Sequence, residues 1–286
     1  MADNNDGNIL APFTYIWAIE NCPTLLSPFP ILSPLFIIDG YRKTHWCLGI
    51  AESDNHIQCF VQRQDDSGPK FINHSSEISL LDTEGCPLIT DTVQWSFKKG
   101  GSHKKSTFAL IRDVFNLRRD KFLSNDTLTF RFRCFSIQQA IIRINMCCAR
   151  TRLDIQRRSF HWTIRDFDSL GVGEHVSRSL VVTENKCLFL TLQLTEEGNV
   201  KMRMAPNFAV RFNLRISVLE TTGRFRTAII CRCKMQDLQH IHLMSKADLE
   251  ANRELILPAG ILTLRYEFIL GIGIAHEEIE SYRFAP

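Results

Sequence analysis

Three stretches of this sequence alternate apolar and polar residues with a period of two, and that pattern leaves little choice of fold. From Thr127 to Phe135, Leu128, Phe130, Phe132 and Cys134 alternate with Thr129, Arg131 and Arg133. After Ile261, Leu262, Leu264, Tyr266 and Phe268 alternate with Thr263, Arg265 and Glu267. A third run sets Val210, Phe212, Leu214, Ile216 and Val218 against Arg211, Asn213, Arg215 and Ser217. Successive side chains of a strand point to opposite faces, so each run carries one apolar and one wet face. Strict alternation of this kind belongs to antiparallel sheets packed on one side only. The predicted fold class is all-β.

The chain also repeats itself. Phe13-Thr14-Tyr15-Ile16-Trp17-Ala18-Ile19 is echoed by Ser159-Phe160-His161-Trp162-Thr163-Ile164, and the segment Phe122–Phe130 is echoed by Ile256–Leu264. Between these, Trp46-Cys47-Leu48 is answered by Lys186-Cys187-Leu188. Three matches in the same order indicate a duplicated domain, and 286 residues are enough for two. The sequence predicts two tandem antiparallel β-sandwiches, over residues 11–136 and 158–270, with a linker over 137–157 and a C-terminal tail over 271–286. The linker, with a short helix or an extra strand as alternatives, is where alternation fades and Arg143, Arg150, Arg152, Arg157 and Arg158 accumulate. Helical spacing of Phe108, Ile111 and Phe115 in Thr107–Lys121, and Ser245 as a cap for Met244–Leu255, predict a short helix or turn before each closing strand.

Tyr15-Ile16-Trp17-Ala18-Ile19-Glu20-Asn21, then Ser33-Pro34-Leu35-Phe36, Trp46-Cys47-Leu48 and the closing Phe122–Leu128, resemble the MATH (TRAF-like) domain, in the combination seen in speckle-type POZ proteins. The second copy is divergent and lacks the Ser-Pro-x-Phe element. The resemblance implies a sandwich of about eight antiparallel strands with a shallow peptide groove, lined by aromatic side chains, that receives short Ser/Thr-rich segments for a cullin-type ubiquitin ligase. It also implies a downstream BTB/POZ domain, for which Ile269–Pro286 leave no room. Carried over position by position, the groove's first tyrosine falls at His56, its first phenylalanine at Ser76 and its second tyrosine at Trp95. Its tryptophan and last phenylalanine fall in Gly100-Gly101-Ser102-His103-Lys104-Lys105. One aromatic of five survives, so the family's standard pocket is not expected intact. With Lys98, His103, Lys104 and Lys105 around Trp95, the expected partners are protein or peptide segments, acidic or phosphorylated ones favoured.

Other functions find less support. The 34 basic residues nearly balance the 31 acidic ones, which does not predict wholesale nucleic-acid or membrane binding. The run Lys98–Lys105 and the linker arginines offer a nucleic-acid site, but no aromatics for base stacking are interleaved with them. A solvated, mobile hairpin is the plain reading of that glycine-lysine run, and a polar surface turn that of Gln62–Gly68. No apolar run reaches the length of a membrane span. No Cys-x-x-Cys spacing occurs among the ten cysteines, so no metal or other cofactor is expected. The start, Met1–Asn8, has neither a basic region nor an apolar core, which predicts an intracellular chain, in cytoplasm or nucleus, with its cysteines reduced. His74 beside Ser75, Ser102 beside His103, and His56 near Cys59 lack a third member to orient a base, so no catalysis is expected. The leading expectation is a substrate-recruiting adaptor, the alternative a structural or regulatory interaction protein without a ubiquitin link.

Overall fold

A computed structural model describes residues 12–27, 29–38, 44–135, 144–207, 212–233 and 239–284. The chain divides into two compact units, residues 1–154 with 273–286, and residues 155–272. The described residues are mostly β-strand, with a few short helical turns.

In the first unit, β1 (Phe13–Glu20), β2 (Ile31–Leu32), β3 (Phe36–Ile37), β4 (His45–Ser53) and β5 (His56–Arg63) lead into β6 (Phe71–Leu81), β7 (Pro87–Lys98) and β8 (Ser102–Leu110). A π-helical turn (Asp113–Leu117), α1 (Arg119–Phe122) and β9 (Leu123–Ser124) precede β10 (Thr127–Phe135). One sheet has the order β1-β10-β6-β7, with β9 on β10. The other has the order β2-β4-β5-β8, with β3 on β4. The register sets Trp17 opposite Phe130, and Phe132 opposite Ile78. All four side chains are buried, as period two requires. The Trp17 indole donates to Thr151 Oγ1 at 2.9 Å, and the Tyr15 hydroxyl donates to the Pro34 carbonyl at 3.0 Å.

The second unit begins within β11 (Ile144–Ile164) and continues through a 3₁₀ turn (Phe167–Ser169), β12 (His175–Thr183), β13 (Lys186–Leu194), β14 (Val200–Pro206), β15 (Phe212–Leu219), β16 (Phe225–Cys233) and β17 (Gln239–Met244). Then come α2 (Lys246–Ala251), α3 (Arg253–Ile256) and β18 (Leu262–Phe284), of which Leu262–Ile272 belongs here. Its sheets run β11-β18-β15-β16 and β12-β13-β14-β17. Between them lies one core of Trp162, Leu190, Met202, Leu214, Ile216, Leu264, Tyr266, Phe268 and their neighbours. The connection pattern repeats that of the first unit: the closing strand (β10 or β18) lies between the opening strand (β1 or β11) and β6 or β15, with β7 or β16 at the edge. Val210 and Arg211 of the third alternating run lie outside the described residues.

Several expectations need correction. Residues 144–157, expected as a linker with a short helix or an extra strand as alternatives, lie in strand β11, and residues 136–143 lie outside the described residues. Within the first unit β11 pairs with β1 in parallel, Trp17 opposite Ala149, so that sandwich is not purely antiparallel. Cys147, Ala149, Thr151 and Leu153 turn inward, and only the last of these is a large apolar residue. Residues 273–284 are not a tail but the end of β18, beside β11, where Arg150 pairs with both Glu20, at 2.9 Å, and Glu280. Thr107–Leu110 completes β8, so helix begins later than its spacing predicts. Ser245 does cap α2, accepting the Asp248 N–H at 3.0 Å.

Candidate peptide-binding edge

β7 ends its sheet, with β6 as its strand partner, and β8 ends the facing sheet. The chain passes from one to the other through Lys99-Gly100-Gly101. Gly100 sits at φ +67°, and a Cβ on Gly101 would lie 2.8 Å from the Lys98 carbonyl oxygen, so the corner calls for both glycines. The Gly101 N–H donates to Lys98 O at 2.9 Å, the Arg63 N–H to Gly101 O at 2.9 Å, and the Gly100 N–H to Gln64 O at 3.3 Å. The expected mobile hairpin is therefore a tied corner between two sheets, and β7 and β8 are not hairpin partners.

Around this corner the side chains form a continuous aromatic stack. Trp95, half-buried on β7, lies face to face with His103 on β8, centroids 5.4 Å apart and planes 6° from parallel. His103 Nε2 donates to the Ser96 carbonyl at 3.0 Å and sets its ring edge-on to Phe97 at 4.8 Å. Phe97 in turn stacks on His74 at 5.0 Å and meets Trp46 edge-on at 4.9 Å. Period two puts Trp95 and Phe97 on one face of β7, the signal by which Phe97 could have been found from sequence.

The expected site residues divide accordingly. Trp95 and His103 are brought together. Lys98 is exposed at the end of β7, opposite Phe71 in the ladder, and alternation turns it to the face away from Trp95. Lys104 and Lys105 have their backbone in β8, opposite Phe60 and Cys59, while their side chains lie outside the described residues. His56 sits at the far end of β5, its Nδ1 2.9 Å from the Asp54 carbonyl. His56 pairs with Leu110 whereas His103 pairs with Val61. Five residues of strand, roughly 17 Å, separate these rungs, so His56 does not join the stack. Ser76 faces the interior, where its Oγ bonds His74 Nδ1, so it cannot line a surface groove.

The His74–Ser76 pair has the geometry of a base beside a hydroxyl nucleophile, but both side chains are shut off from solvent. Burial pushes the imidazole down to about 4, and Cys134 Sγ lies 3.4 Å from the same Nδ1. The arrangement is packing, sealed under Trp46 and Phe97. In Gln62–Gly68, expected to be a surface turn, the wholly covered Arg63 holds Asp66 through Nε at 2.8 Å and Nη2 at 2.6 Å and donates to the Pro69 carbonyl at 2.6 Å. Among the described residues no three His, Cys, Asp or Glu side chains gather as a metal site, and no helix is long and apolar enough to cross a membrane.

No family model matches the chain, and no curated protein matches it. Among solved structures it is similar to Notothenia coriiceps TRAF5, at 13% identity and a TM-score of 0.33, over 45% of this chain and 76% of that one.

Proposed function

We propose that this chain is a non-enzymatic recognition protein built from two MATH-type sandwiches, and that it takes up an extended peptide along β7. The observation that carries this reading is a strand edge with a half-buried tryptophan beside it. β7 has an outer edge able to pair with an added strand, and Trp95, held flat by His103, offers an apolar contact next to it. Main-chain pairing supplies affinity in such additions, and side-chain pockets supply selectivity. The repeated strand order of the two units, together with the sequence motifs Tyr15–Asn21 and Phe122–Leu128, supports the tandem MATH reading. On this reading the protein acts inside the cell as an adaptor, and recruitment of substrates to a cullin-type ligase is its extension. The peptides favoured are acidic or phosphorylated Ser/Thr-rich segments carrying one apolar residue.

An array of such peptides, probed with the full chain and with its Trp95→Ala variant, tests the reading. A subset bound by the native chain and lost by at least about tenfold in the variant is expected, since a well-packed aromatic anchor dominates small interfaces. Equal binding by both chains sinks it.

A further inference from the structure

We propose that the solvent face of the β11-β18-β15 sheet, in the second unit, binds an anionic peptide segment through arginine guanidinium groups. This site is separate from the β7 edge and does not depend on it. Along β15 and β18, Phe212, Leu214, Tyr266 and Phe268 turn into the core, so Asn213, Arg215, Glu267 and Ile269 turn outward. Register sets Arg215 opposite Glu267 and Asn213 opposite Ile269. With Arg157 and Arg158 from β11, they line a concavity of about 500 Å³. That volume lies in the range of small-ligand sites.

Charge decides what fits. The lining includes three arginines and one carboxylate. Arg265 engages Glu267 at 2.9 Å, whereas Arg215 reaches it only at 3.9 Å, beyond hydrogen-bond length. The Arg215 fork therefore has N–H donors to offer beside Arg157 on the same face, whereas Arg158, on the opposite face by alternation, donates to the Val181 carbonyl at 3.5 Å. Planar guanidinium groups suit the paired oxygens of carboxylate or phosphate better than any other charge. Ile269, half-buried on the same face, gives an apolar contact between them. The occupant is thus a peptide with acidic or phosphorylated residues flanking an aliphatic one.

A single-stranded nucleic acid shares the charge but needs an open aromatic face for its bases. The exposed ring at this face is Phe225, and it is already covered by His161, stacked at 5.7 Å, and by the Arg265 guanidinium, 4.9 Å from its centroid. The observations therefore favour peptide.

Fluorescence anisotropy on the full chain tests this, with a labelled decapeptide of alternating glutamate and valine as probe. The same peptide with phosphoserine replacing glutamate distinguishes carboxylate from phosphate, and a labelled oligothymidylate tests nucleic acid. Saturable peptide binding that weakens with salt is expected, reduced about tenfold or more in Arg157→Ala plus Arg215→Ala. Both substituted residues are exposed, and an unchanged melting temperature confirms that the variant is folded. Trp95→Ala leaves this binding within about twofold while abolishing capture at the β7 edge, so either proposal can fail alone. No saturable peptide binding at low salt, equal affinity of the arginine variant, or tighter binding of oligothymidylate than of both peptides overturns the inference.

Discussion

The Trp17 indole donates its only hydrogen bond donor to Thr151 Oγ1, a hydroxyl 134 residues away in sequence and wholly buried on β11. Trp17→Ala removes a fully buried aromatic from the first core, and a loss of about 3–5 kcal/mol is expected. Thr151→Val keeps shape but strands the indole N–H, at a cost of about 1–3 kcal/mol. Chemical denaturation of the full chain, followed by near-ultraviolet circular dichroism, measures both. An unchanged midpoint for Thr151→Val contradicts the hydrogen bond.

His74 makes stability fall in mild acid. Burial lowers the folded imidazole from 6.5 to about 4, so the unfolded chain takes up the proton first. The contribution is complete above pH 6.5, declines as pH falls toward 4, and changes no further below. Its size across that window is about 3 kcal/mol. His74→Phe should flatten the stability profile between pH 6.5 and 4 even though the variant is less stable overall. A profile as steep as the native one assigns the acid sensitivity elsewhere.

Arg63 and Asp66 form a covered pair whose partners depend on each other. Asp66→Asn leaves a buried guanidinium without its counter-charge, and about 3 kcal/mol is expected to be lost. The hydrogen bonds from Arg63 hold the Asp66 carboxyl below its usual range, so its contribution is present above pH 3.8 and is lost as pH falls through the lowered folded value. Replacing both residues by leucine should cost less than Asp66→Asn alone. The ordering of the two variants by melting temperature is the check.

Gly49 stands opposite Phe60 in the β4–β5 ladder, and a Cβ there would come within 2.0 Å of the ring. Gly49→Ala should destabilise by about 1–3 kcal/mol through overpacking. Adding Phe60→Leu should return part of the loss, a non-additivity that only direct contact produces.

On the proposed reading, Lys104 and Lys105 bear on selectivity at the β7 edge. Exposed ion pairs contribute about 0.2–1 kcal/mol each, so a phosphopeptide preference of a few-fold, weakening with salt, is expected from them. Peptide arrays in phosphorylated and plain forms, at low and high ionic strength, should show that preference disappear in Lys104→Ala plus Lys105→Ala.

The parts legible in the sequence were those in which burial coincides with large apolar side chains. Leu128, Phe130 and Phe132 announced β10, and Leu262, Leu264 and Tyr266 announced the first half of β18, each with its inward face. β11 hid because its inward positions in the first unit are Cys147, Ala149 and Thr151, residues that a narrow space accepts but hydrophobicity does not flag. The end of β18 hid for the opposite reason: Glu277, Glu278 and Tyr282 are exposed, so pairing rather than burial makes it a strand. At the candidate site, Trp95 and His103 follow from the groove positions that the family resemblance implies. Their stacking could not be read, because it depends on a corner between sheets that resembles a hairpin in sequence.

The parallel pairing of β1 with β11 also orders events during synthesis. β1 emerges before β11, and one of its edges stays uncovered until residues 146–152 follow it out of the ribosome. A nascent chain stopped near residue 136 presents a bare edge of alternating aromatic residues, the kind of template that recruits other chains. Expression of fragments ending there should yield aggregates, while those carried through residue 154 have the strand that covers it.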